Sequence, residues 1–143
     1  MIFGKKVITW SKIGDLNGKN LYLCDTILGY SKFGEKQEYA ISIVRDMCRD
    51  LYTECFSEEE RKGMIPHPEI QDSVFLLSDV EYIKYSDAIQ PVKSRWWLRS
   101  PSCLAADFAS YVDNPDGLYY ARVSTRTFGL RPAIILKRSF NNE

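Results

Sequence analysis

The side chains of this 143-residue chain best suited to nucleophilic or metal chemistry are a single histidine, His67, and the cysteines Cys24, Cys48, Cys55 and Cys103. Nucleophilic catalysis needs a hydroxyl or thiol within reach of a base, and zinc sites repeat Cys and His at short characteristic spacings. Neither pattern is present. His67 stands between Pro66 and Pro68, in a stretch (64–72) that reads as a surface loop with no nucleophile near it in sequence. Cys48 and Cys55 share a face of a helical pattern, but no Cys-x-x-Cys pair accompanies them. All four cysteines have apolar neighbours and read as reduced core residues. No Gly-rich phosphate loop occurs. The residues therefore assign no catalytic group, no metal ligand and no cofactor.

Asp113, Asn114 and Asp116 offer oxygen donors within one loop that closes on Pro115 and Gly117. A calcium ion takes about six to eight oxygens, so ordinary turn chemistry is the expectation for this loop. Tyr119, Tyr120, Arg122, Thr125, Arg126 and Phe128 follow it. Side chains alternate along a strand, so about half of these face inward. The outward half has the composition of an interface. Asp113, Asn114, Asp116, Tyr119, Arg122, Thr125 and Arg126 are accordingly the candidate binding residues. Arg99 and Arg131 read as structural, each expected to pair with a carboxylate such as Asp79 or Asp107.

Lysine and arginine balance aspartate and glutamate at 19 each, so no whole-molecule field favours nucleic acid or anionic lipid. The halves differ: residues 1–90 carry 11 basic and 15 acidic groups, and 91–143 carry 8 and 4. A partner of the C-terminal part is expected to present an acidic surface. No segment approaches the ~18 apolar residues of a membrane span, and the first residues do not form a signal peptide. A cytoplasmic location, in whichever cell makes the protein, is expected.

Positioning these groups falls to a short list of elements. Lys6–Trp10 reads as a strand, and Asn17-Gly18 turns the chain into a second strand over Asn20–Cys24. From Tyr39 to Cys55 apolar residues recur at three and four, marking the main helix. Ser57-x-x-Glu60 and Ser78-x-x-Glu81 are capping boxes that open two short helices, and Val74–Leu77 between them is a buried strand. Arg95-Trp96-Trp97-Leu98-Arg99-Ser100-Pro101 is the central strand. Adjacent tryptophans in an extended run point to opposite faces, so both faces must be covered. Phe108–Val112 and Leu118–Val123 flank the acidic loop, and Leu130–Leu136 is the last strand, with Pro132 marking an edge or bulge. Strands, then helices, then strands define a single α+β domain over 1–140, with 141–143 as a frayed tail.

Five blocks carry a resemblance: Phe3-Gly4-Lys5, Phe56-Ser57-x-x-Glu60, Phe75-Leu76-Leu77-Ser78, Trp96-Trp97-Leu98-Arg99-Ser100-Pro101 and Gly129-Leu130-Arg131-Pro132-Ala133. They resemble, nearly end to end, an uncharacterised bacterial and phage family of domains of unknown function. The Trp-rich strand, Gly-centred hairpin and closing Gly-x-Arg strand are similar to C-type-lectin-like folds, including the formylglycine-generating enzymes. The oxygen-activating cysteine pair of those enzymes is not recognisable here, and the Asp113–Asp116 loop is longer than the family's short Gly turn. The chain also begins almost directly at the Phe-Gly-Lys block. The function expected is a non-catalytic binding module engaging a protein partner, one form of which is a phage or mobile-element inhibitor of a host defence complex. An enzyme, or a small-ligand or carbohydrate-binding domain of the same fold, is the alternative, and a nucleic-acid binder the second. A pocket where His67 or Cys103 meets a perturbed carboxylate would favour the enzyme.

Overall fold

The computed structural model describes residues 1, 3–4, 8–113 and 117–138. The chain begins with a hairpin, β1 (Trp10–Leu16) and β2 (Lys19–Cys24). Asn17 and Gly18, at φ 51° and 78°, form the two-residue turn, whose left-handed backbone matches the twist of the strands. The first strand therefore runs later than the sequence suggests, taking in residues 11–16, while Lys6 and Val7 lie outside the described residues. A bulge between Lys12 and Gly14 bends β1. A Cβ on Gly14 would come within 2.3 Å of the Tyr85 ring, so only glycine lets that tyrosine cross the strand. The Tyr85 hydroxyl then donates to the Asp15 carbonyl at 2.7 Å.

The predicted long helix is broken at its start. Tyr39–Ile41 is a 3-10 turn, and α1 spans Ile43–Cys55, because Ser42 caps it and accepts from the Arg45 amide. Both capping boxes form as expected, opening α2 (Glu58–Gly63) and α3 (Asp79–Tyr85). Between them β3 is shorter than predicted, Val74–Phe75. The second half supplies β4 (Trp96–Pro101), β5 (Phe108–Val112), β6 (Leu118–Arg122) and β7 (Ala133–Leu136). Leu130–Pro132 do not join β7; the Pro132 carbonyl instead accepts from the Cys24 amide at 2.9 Å.

Two antiparallel sheets result, with strand orders β1-β2-β7-β3 and β4-β5-β6. Trp96 and Trp97 do face opposite ways and are both closed off, at 2% and 0% exposure. Trp97 enters a core with Phe33 and Phe128, at ring distances of 5.4 and 4.8 Å, against Val44 and Cys48 of α1. Trp96 enters a second core with Leu98, Phe75 and Tyr82, whose ring lies edge-on at 5.9 Å. β4 thus divides two cores. Its free side is held by Gly129, which accepts from the Trp97 amide at 3.1 Å and donates to the Arg95 carbonyl at 2.7 Å. A Cβ there would approach Ile27 to 2.5 Å.

Candidate functional site

His67 is the largest departure from the sequence reading. Its loop is at the surface, yet its ring is 1% exposed and packs edge-on to Phe75 at 4.9 Å. Nδ1 accepts from the Glu69 amide at 3.1 Å, which leaves Nε2 to carry the proton and donate to Glu81 Oε2 at 2.6 Å. Arg99 Nη1 donates to Glu81 Oε1 at 2.6 Å and to the Leu76 carbonyl at 2.8 Å, and Nη2 to Oε2 at 3.3 Å. Glu81 Oε1 also accepts from the Ser78 amide at 2.9 Å as part of the capping box. The carboxylate partner of Arg99 is therefore Glu81, not Asp79 or Asp107. Asp79 instead accepts from the Ser100 hydroxyl at 3.1 Å.

This cluster meets the sequence criterion of a histidine beside a perturbed carboxylate, but its geometry is that of a clamp. Burial alone would raise the Glu81 pKa; hydrogen bonds from His67, Arg99 and the Ser78 amide outweigh it and bring the value to about 2. A general base needs a pKa near the working pH and an open path to substrate. Glu81 has neither, and the neighbouring cleft of about 380 Å³ is lined by Tyr39, Glu69 and Arg99 but not by His67 or Glu81. Donor atoms of His67, Glu69 and Glu81 lie within 4.8 Å of one another. An ion among them would sit on the carboxylate oxygens that the Arg99 cation already occupies, so the set does not suit a metal.

The candidate binding residues fall into two groups. Asp113 is half-buried beside Arg95 at 3.2 Å, and its amide donates to the Gly117 carbonyl at 3.0 Å. Asn114 and Asp116 lie outside the described residues. Tyr119 and Arg122 lie on β6, the outer strand of its sheet, with Thr125 and Arg126 in the turn beyond it. β6 separates Asp113 from that turn by roughly 14 Å along the strand. Tyr119 is 52% exposed, Tyr120 40%, and Arg122 and Arg126 are exposed, whereas Thr125 is half-buried. Tyr119 rests on Tyr111 at 6.0 Å, and the Arg122 guanidinium lies over Phe108 at 5.3 Å. Leu104, 87% exposed in the β4–β5 connection, adds an apolar group that the sequence reading passed over.

Two further expectations are corrected. Cys103 is exposed, unlike the buried Cys24, Cys48 and Cys55, because it lies in the connection after Pro101 and not in a strand. Among the described residues Arg131 forms no ion pair with a carboxylate: its Nε donates to the Cys24 carbonyl at 2.6 Å, and its guanidinium lies over Trp96 at 5.0 Å. On the helix face, Arg45 binds Asp72 through two hydrogen bonds, of 2.8 and 3.0 Å.

The molecule is thus an α+β domain of two antiparallel sheets, with a locked buried ion pair and an exposed aromatic–arginine strand. The chain belongs to the DUF6273 family, a domain of unknown function whose family model matches residues 17–138. No curated protein and no solved structure matches it. Among the described residues, no helix is long and apolar enough to cross a membrane.

Proposed function

We propose that the chain is a non-catalytic binding module that engages a protein through β6 and the turn after it, on a C-type-lectin-like scaffold. The scaffold reading is supported by the pairing of an early strand with the last one, the helices between them, and a separate three-stranded sheet carrying the Trp pair. The observation that carries the binding reading is the exposure of Tyr119, Tyr120 and Arg122 together on an outer strand. Tyrosine and arginine are the residues most enriched where partners dock, and an outer strand can also offer its backbone to an added strand. The two tyrosines point to opposite faces, so a partner would wrap the edge and not lie on one face. Arg122 and Arg126 suit an acidic partner.

The test is comparative capture from a lysate of the cell in which the protein is made. Wild-type protein, a Tyr120→Lys/Arg122→Glu variant and an Arg49→Glu variant on the exposed face of α1 are used as parallel baits. The reading requires a protein retained by wild type and Arg49→Glu and lost from the β6 variant. Retention by the β6 variant with loss from Arg49→Glu moves the site to the helix face. A retained protein belonging to a defence complex, with its activity suppressed, would identify the mobile-element inhibitor form.

A further inference from the structure

Arg131 carries a second reading, independent of β6. A guanidinium is held charged in proteins and has five N–H donors to satisfy. Here the side chain is 2% exposed, one donor goes to the Cys24 carbonyl, and Nη1 is buried with no acceptor among the described residues. Burial, the largest influence on it, lowers the guanidinium pKa from its ordinary value. Native proteins leave few buried donors unmet, and an unmet cation is among the costliest.

The same side chain lines a cavity of about 220 Å³. Trp96, Tyr82 and Val92 supply aromatic and apolar walls, and Asp87 and Asp113 supply carboxylates. Asp87 is exposed and Asp113 is half-buried beside Arg95, and neither forms an ion pair with Arg131. The site is therefore bipolar: a dry cation at one position, apolar walls, and acids nearer solvent. A simple anion would leave Asp87 facing its negative charge, and a simple cation would leave the Arg131 donor unmet. A molecule bearing both charges satisfies both ends, and the cavity limits it to a small one.

We infer that this cavity binds a small amino-carboxylate zwitterion, the chemistry of a free amino acid, with its carboxylate on Arg131 and its amine toward Asp87 and Asp113. The Arg131 guanidinium, tethered through Nε to the Cys24 carbonyl and lying over Trp96 at 5.0 Å, holds its charge in a fixed place for the carboxylate.

The experiment is an NMR titration of the full chain, following the Trp96 indole and Arg131 side-chain resonances with Trp10 and Trp97 as internal references. The probes are glycine, leucine, phenylalanine and γ-aminobutyrate, with acetate and benzoate as carboxylates lacking an amine and butylamine as an amine lacking a carboxylate. The expected result is a saturable shift of Trp96 and Arg131 with at least one amino-carboxylate and none with butylamine. Val92→Trp, which fills the cavity and leaves Arg131 in place, should weaken that binding at least tenfold. Asp87→Asn, at an exposed position that keeps the fold, should weaken the zwitterion and not benzoate. No saturable shift with any probe, binding of butylamine, or indifference to Val92→Trp overturns the site. Benzoate binding as tightly as the amino acids, unaffected by Asp87→Asn, overturns the zwitterion assignment.

Discussion

Glu81 and Arg99 are joined by two hydrogen bonds, of 2.6 and 3.3 Å, with exposures of 9% and 8%. One end of α3 is thereby fastened to β4, and the same carboxylate caps the helix and receives the His67 proton donor. Three local structures converge on two oxygen atoms.

Breaking that pair from one side leaves the other charge buried. Glu81→Ala is expected to cost about 3–5 kcal/mol, read as a lowered urea midpoint. Replacing both residues with methionine should recover much of the loss, since packed apolar groups avoid the desolvation cost. If the double variant is no more stable than Glu81→Ala, the arrangement is held by something other than charge pairing.

The pH dependence follows from the same carboxylate. Its folded pKa, about 2, lies below the ordinary value of 4.5, so folding favours the ionised form. The contribution is fully present above pH 4.5 and is lost as the pH falls through 2; a shift of that size corresponds to roughly 3 kcal/mol. Chemical denaturation across that window should show wild type losing more stability than Glu81→Gln. Parallel curves would place the acid sensitivity elsewhere.

Trp97 is fully buried, touches Phe33 and Phe128, and donates to the Ser31 carbonyl at 2.9 Å. Trp97→Ala should therefore cost about 3–5 kcal/mol. An unchanged melting temperature would be incompatible with the division of the cores by β4.

The thiols should separate cleanly. Burial pushes Cys48 up to about 12 and raises Cys24, while Cys103 is exposed. Iodoacetamide at pH 8 should label one site in the folded protein, Cys103, and all four after denaturation. Rapid labelling of Cys48 without denaturant would show that α1 opens locally.

At β6, the Arg122→Ala/Arg126→Ala variant should weaken the partner by about 2 kcal/mol or more, near thirty-fold, if either arginine is an anchor. Both are exposed, so the melting temperature should hardly move. Charge reversal at Arg45 is a poor control for the opposite face, because it breaks the pair with Asp72 and destabilises the fold.

What the chain discloses by itself is what neighbours in sequence decide. The capping serines, the Asn17-Gly18 turn and the two-faced burial of Trp96 and Trp97 depend on spacings of one to three residues, and all are realised. The burial of His67 depends on Glu81 and Arg99, fourteen and thirty-two residues away, and the flanking prolines masked it as loop. The one available signal was that Glu81, as a capping-box residue, had a fixed position with an oxygen to spare. Arg131 departs from the expected carboxylate pairing for a related reason. Its partners are a carbonyl and an aromatic face, which no pattern of charges announces. Leu130 and Pro132 extend the apolar run of the last strand, but the Leu130 amide and the carbonyls of both residues are used by Cys24, Leu28 and Gly29.

The pairing of β2 with β7, Asn20 opposite Leu136 to Leu23 opposite Ala133, also sets a schedule for the ribosome. More than a hundred residues must be made after β2 before its partner exists, which takes on the order of 5–20 s at ordinary synthesis rates. Through that interval the hairpin carries an open apolar edge at Leu21 and Leu23, and β3 has no strand to join. The four-stranded sheet is therefore completed only once β7 is made, and the nascent chain is most exposed to misassociation just before residues 133–136 arrive.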